Sequence, residues 1–420
     1  MKILLKNALI FSPGSTNHKK KKDILVENGK IIKIETSLPE QGKVVVSKRL
    51  MVSTGFFDMQ ANFFDPGLEY KEDISTGCRA ASAGGFTGVA LLPNTRPSIQ
   101  TKNDIGYILA KSKNCLTDVF PYGSVTIDNK GEEITEMLDQ NEAGAIAFTD
   151  GDRPIWNADI MLKSLLYIEK FNGLIINKPE DYWLNRFGHM HEGKTSTILG
   201  TKGMLSIAEE IMIDRDLRIL KYAGGKIHFS NISTAESVKM IRIAKRNGLD
   251  VTCDIAAHQI AFTDEDLLDF NTNLKVNPPF RTEKDIKALI KGLEDDTIDI
   301  IVSSHTPHDV ECKKLEFDHA DFGITGLQTV LPILISSLGE KEWTNFINKI
   351  TVNPRKRLGL GLPKIEVGEH ANLTAFDPTI KWEMNQETNE SKSENSPYWN
   401  KELTGKVLAT LNNGKSFFAN

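Results

Sequence analysis

Eight short apolar runs alternate with longer amphipathic stretches between Val52 and Leu358, and this alternation restricts the possible fold more than any other feature. The runs are 52–62, 87–94, 118–126, 145–150, 173–178, 226–231, 250–258 and 298–305. Parallel strands joined by crossover helices produce this pattern. Eight consecutive strand–helix units predict an α/β fold, a (β/α)8 TIM-type barrel over residues 52–358.

Several of the intervening stretches have the apolar spacing of helices. They are 155–171, 204–223, 234–247 and 283–294. Ser233 or Thr234 is a suitable N-cap for the third of them, because its side-chain oxygen can accept a hydrogen bond from a free backbone N–H of the first turn.

The two ends of the chain favour short strands instead. In the first end, Asn28 and Gly29 separate two strand-like runs and predict a hairpin. Neither end is large enough to bury a good core alone. We therefore expect residues 1–51 and 359–420 to form one composite β-sandwich beside the barrel. The polar stretch 385–399 is interpreted as a mobile surface loop, and the lysine run 19–22 as a solvated hairpin tip rather than a targeting or lipid signal.

Composition excludes several classes of function. The formal charge of −5 and the pI of about 6.1 provide no broad basic surface, so nucleic acid is not an expected partner. No apolar run approaches the roughly 18 residues that a membrane span needs. The four cysteines include no C-x-x-C pair, which argues against a zinc ribbon or disulfide framework and favours a cytoplasmic location. They are Cys78, Cys115, Cys253 and Cys312.

Active sites of such barrels lie at the carboxyl ends of the strands and in the loops that follow. In this sequence those places contain FFDPG (63–67), PNT (93–95), NPPFR (277–281) and HTPH (305–308). Together with AGGFTGVALLPNT, FGITGLQT and the tail NSPYWNKELTGKVLATLNNGK, they resemble the class I dihydroorotases of the cyclic amidohydrolase superfamily. The resemblance runs through nearly the whole chain in order, and it implies a barrel of the metal-dependent amidohydrolase kind.

What the resemblance implies for chemistry is the reversible closure of carbamoyl aspartate to dihydroorotate by a zinc-bound hydroxide. Zinc lowers the pKa of bound water to about 7 and needs imidazole or carboxylate ligands. The family takes these from a His-x-His pair, an Asp, two further His and a strand-eight Asp that also moves the proton. The matching positions here are Gln60, Asn62, Gly151, Lys178, Asn231 and Ser304.

None of these six positions retains the residue type that the family uses. The amides of Gln60 and Asn62 bind zinc weakly, and the ammonium of Lys178 repels a cation. A one-residue shift from Gly151 to Asp150 or Asp152 would restore a carboxylate. We expect no intact catalytic centre, with Ser304 at the position of the proton-shuttling Asp, and no zinc cofactor.

The substrate pocket implied by the resemblance is only partly kept. Asn94, Asn277 and His308 match family residues that hold the substrate. Phe64 replaces the Arg that grips the substrate carboxylate, which weakens anion binding.

Other groups offer an alternative metal site. His189 and His191 form a His-x-His pair, but they lie in a loop away from any strand end. A retuned site is also conceivable, although no two of its members have a ligand spacing that the family uses. Its candidates are Asp58, Asp150, His228, His258 and His305.

Three functions follow. The favoured one is a catalytically inactive dihydroorotase homologue that serves as a structural or regulatory subunit, since the resemblance implies aspartate transcarbamoylase as a partner, alone or beside homo-oligomers. The second is an active dihydroorotase or other cyclic amidohydrolase with a non-standard metal site. The third is a sensor that binds a small acidic ligand near Asn94, Asn277 and Lys178.

Overall fold

The computed structural model describes residues 1–13, 15–339 and 343–419. The strands are β1 (Lys2–Phe11), β2 (Lys21–Glu27), β3 (Lys30–Glu35), β4 (Lys43–Val45), β5 (Met51–Thr54), β6 (Phe56–Ala61), β7 (Phe86–Leu91), β8 (Asp118–Pro121), β9 (Ile175–Asn177), β10 (Met190–His191), β11 (Gly203–Met204), β12 (Ile227–Phe229), β13 (Val251–Ala256), β14 (Ile300–Val302), β15 (Leu373–Met384), β16 (Lys401–Asn412) and β17 (Lys415–Phe418). The α-helices are α1 (Ile74–Ala83), α2 (Lys102–Ser112), α3 (Met137–Ala143), α4 (Ala158–Ile168), α5 (Tyr182–Asn185), α6 (Lys194–Leu199), α7 (Ser206–Ala223), α8 (Ala235–Arg246), α9 (Glu283–Glu294), α10 (Val310–Lys313), α11 (Val330–Leu338) and α12 (Val352–Arg357).

The middle of the chain contains two parallel sheets. Strands β6, β7 and β8 form one of them, and β9, β12, β13 and β14 form the other. Isolated parallel bridges extend both sheets, from Gly123 to Phe148, from Phe148 to Ile175 and from Ala61 to His305. The pattern is that of a TIM-like barrel, with helices packing their apolar faces onto the strands.

The predicted strand 145–150 is wrong in extent, because this segment is reduced to the bridge at Phe148. The Phe148 N–H donates to Leu174 O at 3.0 Å, and Phe148 O accepts from Ile176 N at 2.8 Å. The segment lies between Gly144, which ends α3 with φ +114°, and the turn at Asp150. On the other side, Ile146 N donates to Pro121 O at 3.3 Å and Thr149 N to Gly123 O at 2.9 Å. The segment therefore lies between the two neighbouring strands as predicted, but its paired part is shorter.

The predicted strand 52–62 divides at Gly55. β5 pairs with β1 and β15, whereas β6 pairs with β7. A Cβ on Gly55 would lie 2.0 Å from Thr87 Oγ1, so no larger residue fits where the chain crosses between the two sheets. The break follows from this close approach, which hydropathy alone does not reveal.

Both chain ends contribute to a single eight-stranded sheet with the order β17-β16-β15-β5-β1-β2-β3, in which β4 pairs with β1. The predicted hairpin is confirmed, since Glu27 pairs with Lys30 across Asn28 (φ +50°) and Gly29 (φ +78°). The lysine run lies at the turn where β2 begins, with Lys19 at φ +58°. A sandwich of two facing layers, and domain limits at 1–51, 52–358 and 359–420, stay predictions.

The predicted helices agree well with the structure. The helix over 283–294 is confirmed as α9, and those over 204–223 and 234–247 correspond to α7 and α8. The stretch 155–171 contains α4 followed by a 3₁₀ turn over Glu169–Phe171. Thr234 is the N-cap of α8, and its side chain accepts a hydrogen bond from Ser237 N. Of the helices described, none is long and apolar enough to cross a membrane.

The stretch 385–399 is not the loose surface loop that its polar composition predicts. Asn395 is buried, and its Nδ2 donates to Thr306 O at 3.1 Å and to Gly323 O at 3.0 Å. Its Oδ1 accepts from His308 N at 2.9 Å. Ser393 Oγ donates to Lys71 O at 2.6 Å. Hydrogen bonds, rather than apolar burial, therefore fasten this stretch to the loops that follow β6 and β14.

Replacing Asn395 should loosen these loops. Asn395→Ala removes the hydrogen-bond partner of one backbone N–H and of two carbonyls, and we expect the free energy of unfolding to fall by about 1–3 kcal/mol. Chemical denaturation with urea measures the change. Gln386, in the same stretch and exposed, provides the matched control Gln386→Ala. Equal stability of the two variants would contradict the proposed fastening.

Candidate functional site

A cavity of about 180 Å³ lies at the carboxyl ends of the parallel strands. Its wall is formed by Asp152, Lys178, His258, Val276, Asn277, Ser304, Thr306, Phe322, Gly323 and Ile324. Five of these positions were singled out from the sequence, namely Asp152, Lys178, His258, Asn277 and Ser304. Carboxyl ends of parallel strands are where such folds bind ligands.

A buried ammonium group is the charged centre of this cavity. Lys178 follows β9 directly, is buried, and has its Nζ 4.0 Å from Glu180 Oε2. Burial raises the pKa of Asp152, while the nearby charge of Lys178 and a hydrogen bond from Asn62 lower it. The cavity thus contains one cation with two carboxyl groups beside it.

Neutral amides occupy three of the positions that the resemblance matches to the family's metal ligands. Asn62 Nδ2 donates to Asp152 Oδ2 at 3.3 Å and to Thr306 Oγ1 at 3.4 Å. Asn231 Nδ2 donates to Ser304 Oγ at 3.0 Å. The side-chain carbonyl oxygens of Gln60, Asn62 and Asn231 are buried without a hydrogen-bond partner. Asn62 is therefore bonded to Asp152 and Asn231 to Ser304, and Asp152, Lys178 and Ser304 line one cavity.

This donor set does not fit zinc. Zinc sites in proteins use thiolate, imidazole or carboxylate donors. The described residues at the six positions offer amide oxygens, a hydroxyl and an ammonium, together with the glycine at 151. An ammonium in the same cavity also repels a divalent ion.

Gly151 cannot accept the missing carboxylate without a rearrangement. Its φ is +67°, and a Cβ would lie 2.0 Å from Asn94 Oδ1. Of its neighbours, Asp150 turns away from the cavity, since its carboxylate accepts from Thr126 N at 2.8 Å and Thr126 Oγ1 at 2.6 Å. The one-residue shift foreseen from the sequence therefore brings only the Asp152 carboxylate to the cavity wall.

The residues matched to the substrate pocket separate into two groups. Asn277 lines the cavity, and its Nδ2 donates to Glu180 Oε2 at 2.9 Å. Asn94 lies behind the wall, where its Oδ1 accepts from Asp152 N at 3.0 Å. Phe64 packs near His308, with ring centres 6.2 Å apart. The substrate roles of these residues stay predictions.

Neither alternative, the His-x-His pair or the retuned site, brings three ligand atoms together among the described residues. His228 Nε2 lies 2.9 Å from Asp254 Oδ2, and burial lowers the pKa of His258 to about 3. His189 Nε2 lies 3.9 Å from Asp318 Oδ1, and His191 Nδ1 accepts from Arg281 Nη1 at 3.1 Å. The imidazoles are therefore dispersed rather than gathered around one point.

Among the described residues, one cluster brings together side chains that could act as metal ligands. They are His308, Cys312 and Asp321, whose ligand atoms all lie within 4.8 Å of one another. The ammonium of Lys71 already lies 3.0 Å from His308 Nδ1 and 3.2 Å from Asp321 Oδ2. A lysine amine thus satisfies this cluster in place of a metal ion.

Sequence reasoning overlooked Glu180 and Thr306 as members of the site. Glu180 lies two residues after Lys178, in the PED turn that follows β9, and it accepts hydrogen bonds from Asn277 and Asn185. A carboxylate two residues from a lysine at a strand end was the feature of the sequence that could have identified Glu180 as part of the site. Thr306 lies within HTPH, of which only the two histidines were singled out from the sequence.

A buried carboxyl beneath the cavity should make stability depend on pH. Burial raises the pKa of Asp58 to about 7, although hydrogen bonds from Ser303 N and Ser303 Oγ oppose the shift. The unfolded chain has a pKa of about 3.9 at this residue, so between these values the folded state binds more protons and stability falls as pH rises. Asp58→Asn should flatten the profile, by about 2 kcal/mol between pH 5 and 7.

Urea denaturation of both proteins across this pH range measures the difference. Asp159→Asn, at an exposed site on α4, is the matched control and should follow the wild-type profile. A parallel profile for Asp58→Asn would exclude Asp58 as the source of the dependence.

Comparison with known proteins agrees with the fold and the motifs. Residues 48–237 match the family described as Dihydro-orotase-like. The chain is 39% identical over 420 residues to the dihydroorotase of Geotalea daltonii, covering 99% of each chain. It is 40% identical over 419 residues to the dihydroorotase of Ruminiclostridium cellulolyticum, covering 99% of this chain and 98% of that one. Among solved structures, dihydropyrimidinase from Brevibacillus agri superposes with a TM-score of 0.83 at 18% identity, covering 100% of this chain and 95% of that one.

The fold is that of the solved hydantoinase and dihydropyrimidinase structures. Near 40% identity along the full length is more specific. The chain belongs to the dihydroorotase family.

Proposed function

We propose that this chain is a non-catalytic dihydroorotase homologue of cytoplasmic pyrimidine biosynthesis, and that it serves as a structural or regulatory subunit of aspartate transcarbamoylase. The observation that supports this most directly is the Lys178 ammonium in the cavity where the family holds its metal. Without a metal-bound hydroxide the family's attack on the amide has no nucleophile. The core of a TIM-like barrel consists of packed side chains, so the fold does not depend on the metal ligands for its stability.

Finer features of the architecture belong to the same proposal. We take the barrel over residues 52–358 to be closed, with the bridge between Ala61 and His305 completing the circle. We also take residues 1–51 and 359–420 to fold as one companion unit. A folded barrel that needs no metal is what a subunit role requires.

The experiment measures assembly with aspartate transcarbamoylase and the effect of that assembly on transcarbamoylase activity. The purified chain is mixed with aspartate transcarbamoylase from the same organism, and the mixture is analysed by size-exclusion chromatography with light scattering. We expect co-elution, and a gain in transcarbamoylase activity or thermal stability that neither protein shows alone. Failure to associate, or association without any effect on the transcarbamoylase, would contradict the proposal.

The alternative is an active dihydroorotase or other cyclic amidohydrolase with a non-standard centre, and the Asp152 carboxylate on the cavity wall is the observation in its favour. Turnover of dihydroorotate and carbamoyl aspartate, measured with added zinc and again with chelator, decides between them. Turnover that Asp152→Asn abolishes would establish the enzyme. Absence of turnover under both conditions supports the subunit.

A small acidic ligand is a weaker proposal for the same cavity. The Lys178 ammonium would attract it, but Glu180 and Asp152 flank that ammonium and repel an anion. A thermal shift with carbamoyl aspartate would reveal such binding. Homo-oligomers without the transcarbamoylase are the remaining form of assembly, and light scattering of the isolated chain measures them.

A further inference from the structure

An exposed aromatic patch lies on the segment between β9 and α7. Its members are Tyr182, Trp183 and Phe187, with Arg186 between them. The side chains of Trp183 and Phe187 are 68% and 65% exposed, and Tyr182 is 51% exposed. Three neighbouring aromatic residues in solvent are unusual for a soluble surface and are typical of an interaction site.

Cations hold the patch in one arrangement. The Arg186 guanidinium lies 4.6 Å from the Phe187 ring centre and 5.6 Å from that of Trp183. Lys202 Nζ lies 5.3 Å from the Phe187 ring and donates to Arg186 O at 2.6 Å. Such contacts contribute about 0.5–1 kcal/mol each at exposed sites. Pre-ordered side chains lose less entropy when they bind a partner.

The patch is also fixed to the cavity wall. Asp181 caps α5 by accepting from Trp183 N at 2.9 Å and Leu184 N at 3.1 Å. Asn185, at the end of the same helix, donates to Glu180 Oε1 at 3.1 Å. The other oxygen of Glu180 accepts from Asn277. These bonds give the exposed rings a rigid support.

The segment 182–202 has more exposed cations than carboxylates, whereas Asp264, Glu265 and Glu283 from other elements line a cavity beside Lys194. Arg186, Lys194 and Lys202 are exposed, and Glu192 is the exposed carboxylate among residues 182–202. Over the described ranges, no carboxylate lies within ion-pair distance of those three cations. Trp, Tyr and Arg are the residues that most often dominate binding energy at interfaces.

We infer that the aromatic patch, residues 182–187 with Lys202, is the docking surface for a protein partner whose binding site is an apolar groove edged by carboxylates. The inference rests on the proposed function, which supplies such a partner. Trp183 and Phe187 would enter the groove, while Arg186 and Lys202 would face its acidic edge. Asp181 N donates to Ala208 O at 2.9 Å, which places the beginning of α7 beside the patch. Ile207 and Ile211 on this helix are exposed.

The test measures the dissociation constant of the full chain with aspartate transcarbamoylase by surface plasmon resonance. Trp183→Ala combined with Phe187→Ala should weaken binding by at least about 30-fold, since each ring acts as a hot spot. Arg186→Glu should slow association and reduce its dependence on salt concentration. Tyr222→Ala, at an 83% exposed residue near the end of α7, should bind as the wild type does. Circular dichroism verifies that every variant is folded.

The outcomes separate the two proposals. If the wild type binds and the paired variant binds equally well, the docking surface is overturned while the proposed function stands. If the wild type does not bind, the proposed function is overturned and the docking surface with it. If the aromatic variant loses affinity but Arg186→Glu and salt have no effect, the acidic edge of the partner is overturned. Loss of affinity in both variants, with Tyr222→Ala unchanged, supports the inference.

Discussion

Arg281→Met is expected to lower the free energy of unfolding by about 3–5 kcal/mol, the usual cost of leaving a buried charge without its partner. Arg281 is buried, with Nη2 3.8 Å from the buried carboxylate of Glu209. Its Nε donates to Ser233 Oγ at 3.0 Å, and Nη1 donates to Met204 O at 3.0 Å. One side chain thereby connects the loop after β12 with β11 and α7. Guanidinium chloride denaturation measures the loss.

A double-mutant cycle separates the charge from the packing. Glu209→Gln alone should also destabilise the protein, because the guanidinium then remains buried without its counter-ion. The double variant should lose less than the sum of the two single losses. Lys287→Met, at an exposed ion pair with Glu283, should change stability by under about 1 kcal/mol. Strict additivity at Arg281 and Glu209 would show that their ion pair contributes nothing.

Regular helices were the part of the fold most accessible from the sequence. α9 begins and ends where the pattern predicts, because Thr282 and Asp285 form a capping box ahead of an amphipathic run. The strands were harder, as Gly55 shows. There the break depends on the distance to Thr87, a residue more than thirty positions away that no local pattern contains.

The site was foreseeable in its position but not in its contacts. Because parallel strands end together, the carboxyl ends of the strands were the expected place of the site. Asn62, Lys178, Asn231 and Ser304 each follow such an end within two residues. The sequence does not predict which carboxylates meet Lys178, since that depends on how the turns after β9 and Phe148 direct Glu180 and Asp152. The stretch 385–399 was misinterpreted for a related reason: composition reports apolar burial, whereas hydrogen bonds hold this stretch.

A carboxylate should be difficult to introduce at Gly151, the position that the resemblance matches to an Asp of the family. We expect Gly151→Asp to lower the free energy of unfolding by about 2–4 kcal/mol, from overpacking and from the cost of a side chain at positive φ. The new Cβ would meet Asn94 Oδ1 at 2.0 Å, and Gly151 has φ +67°. The Asn94 side chain is not free to move away, because its Oδ1 accepts a hydrogen bond from Asp152 N. Thermal and urea denaturation measure the effect.

Gly106→Asp is the matched control. A Cβ on Gly106 meets nothing within 4 Å, and its φ is not in the positive range, so stability should change little. Asn94→Ala removes the obstructing oxygen, and the double variant Asn94→Ala with Gly151→Asp should therefore be more stable than the two single losses predict. Equal stability of Gly151→Asp and Gly106→Asp would show that this position still accommodates a carboxylate. In this chain Asn94 Oδ1 lies 2.0 Å from where the Cβ of an aspartate at 151 would be placed, so Asn94 has to move before a carboxylate fits. The other five matched positions, Gln60, Asn62, Lys178, Asn231 and Ser304, would still lack the family's residue types after a single change at Gly151.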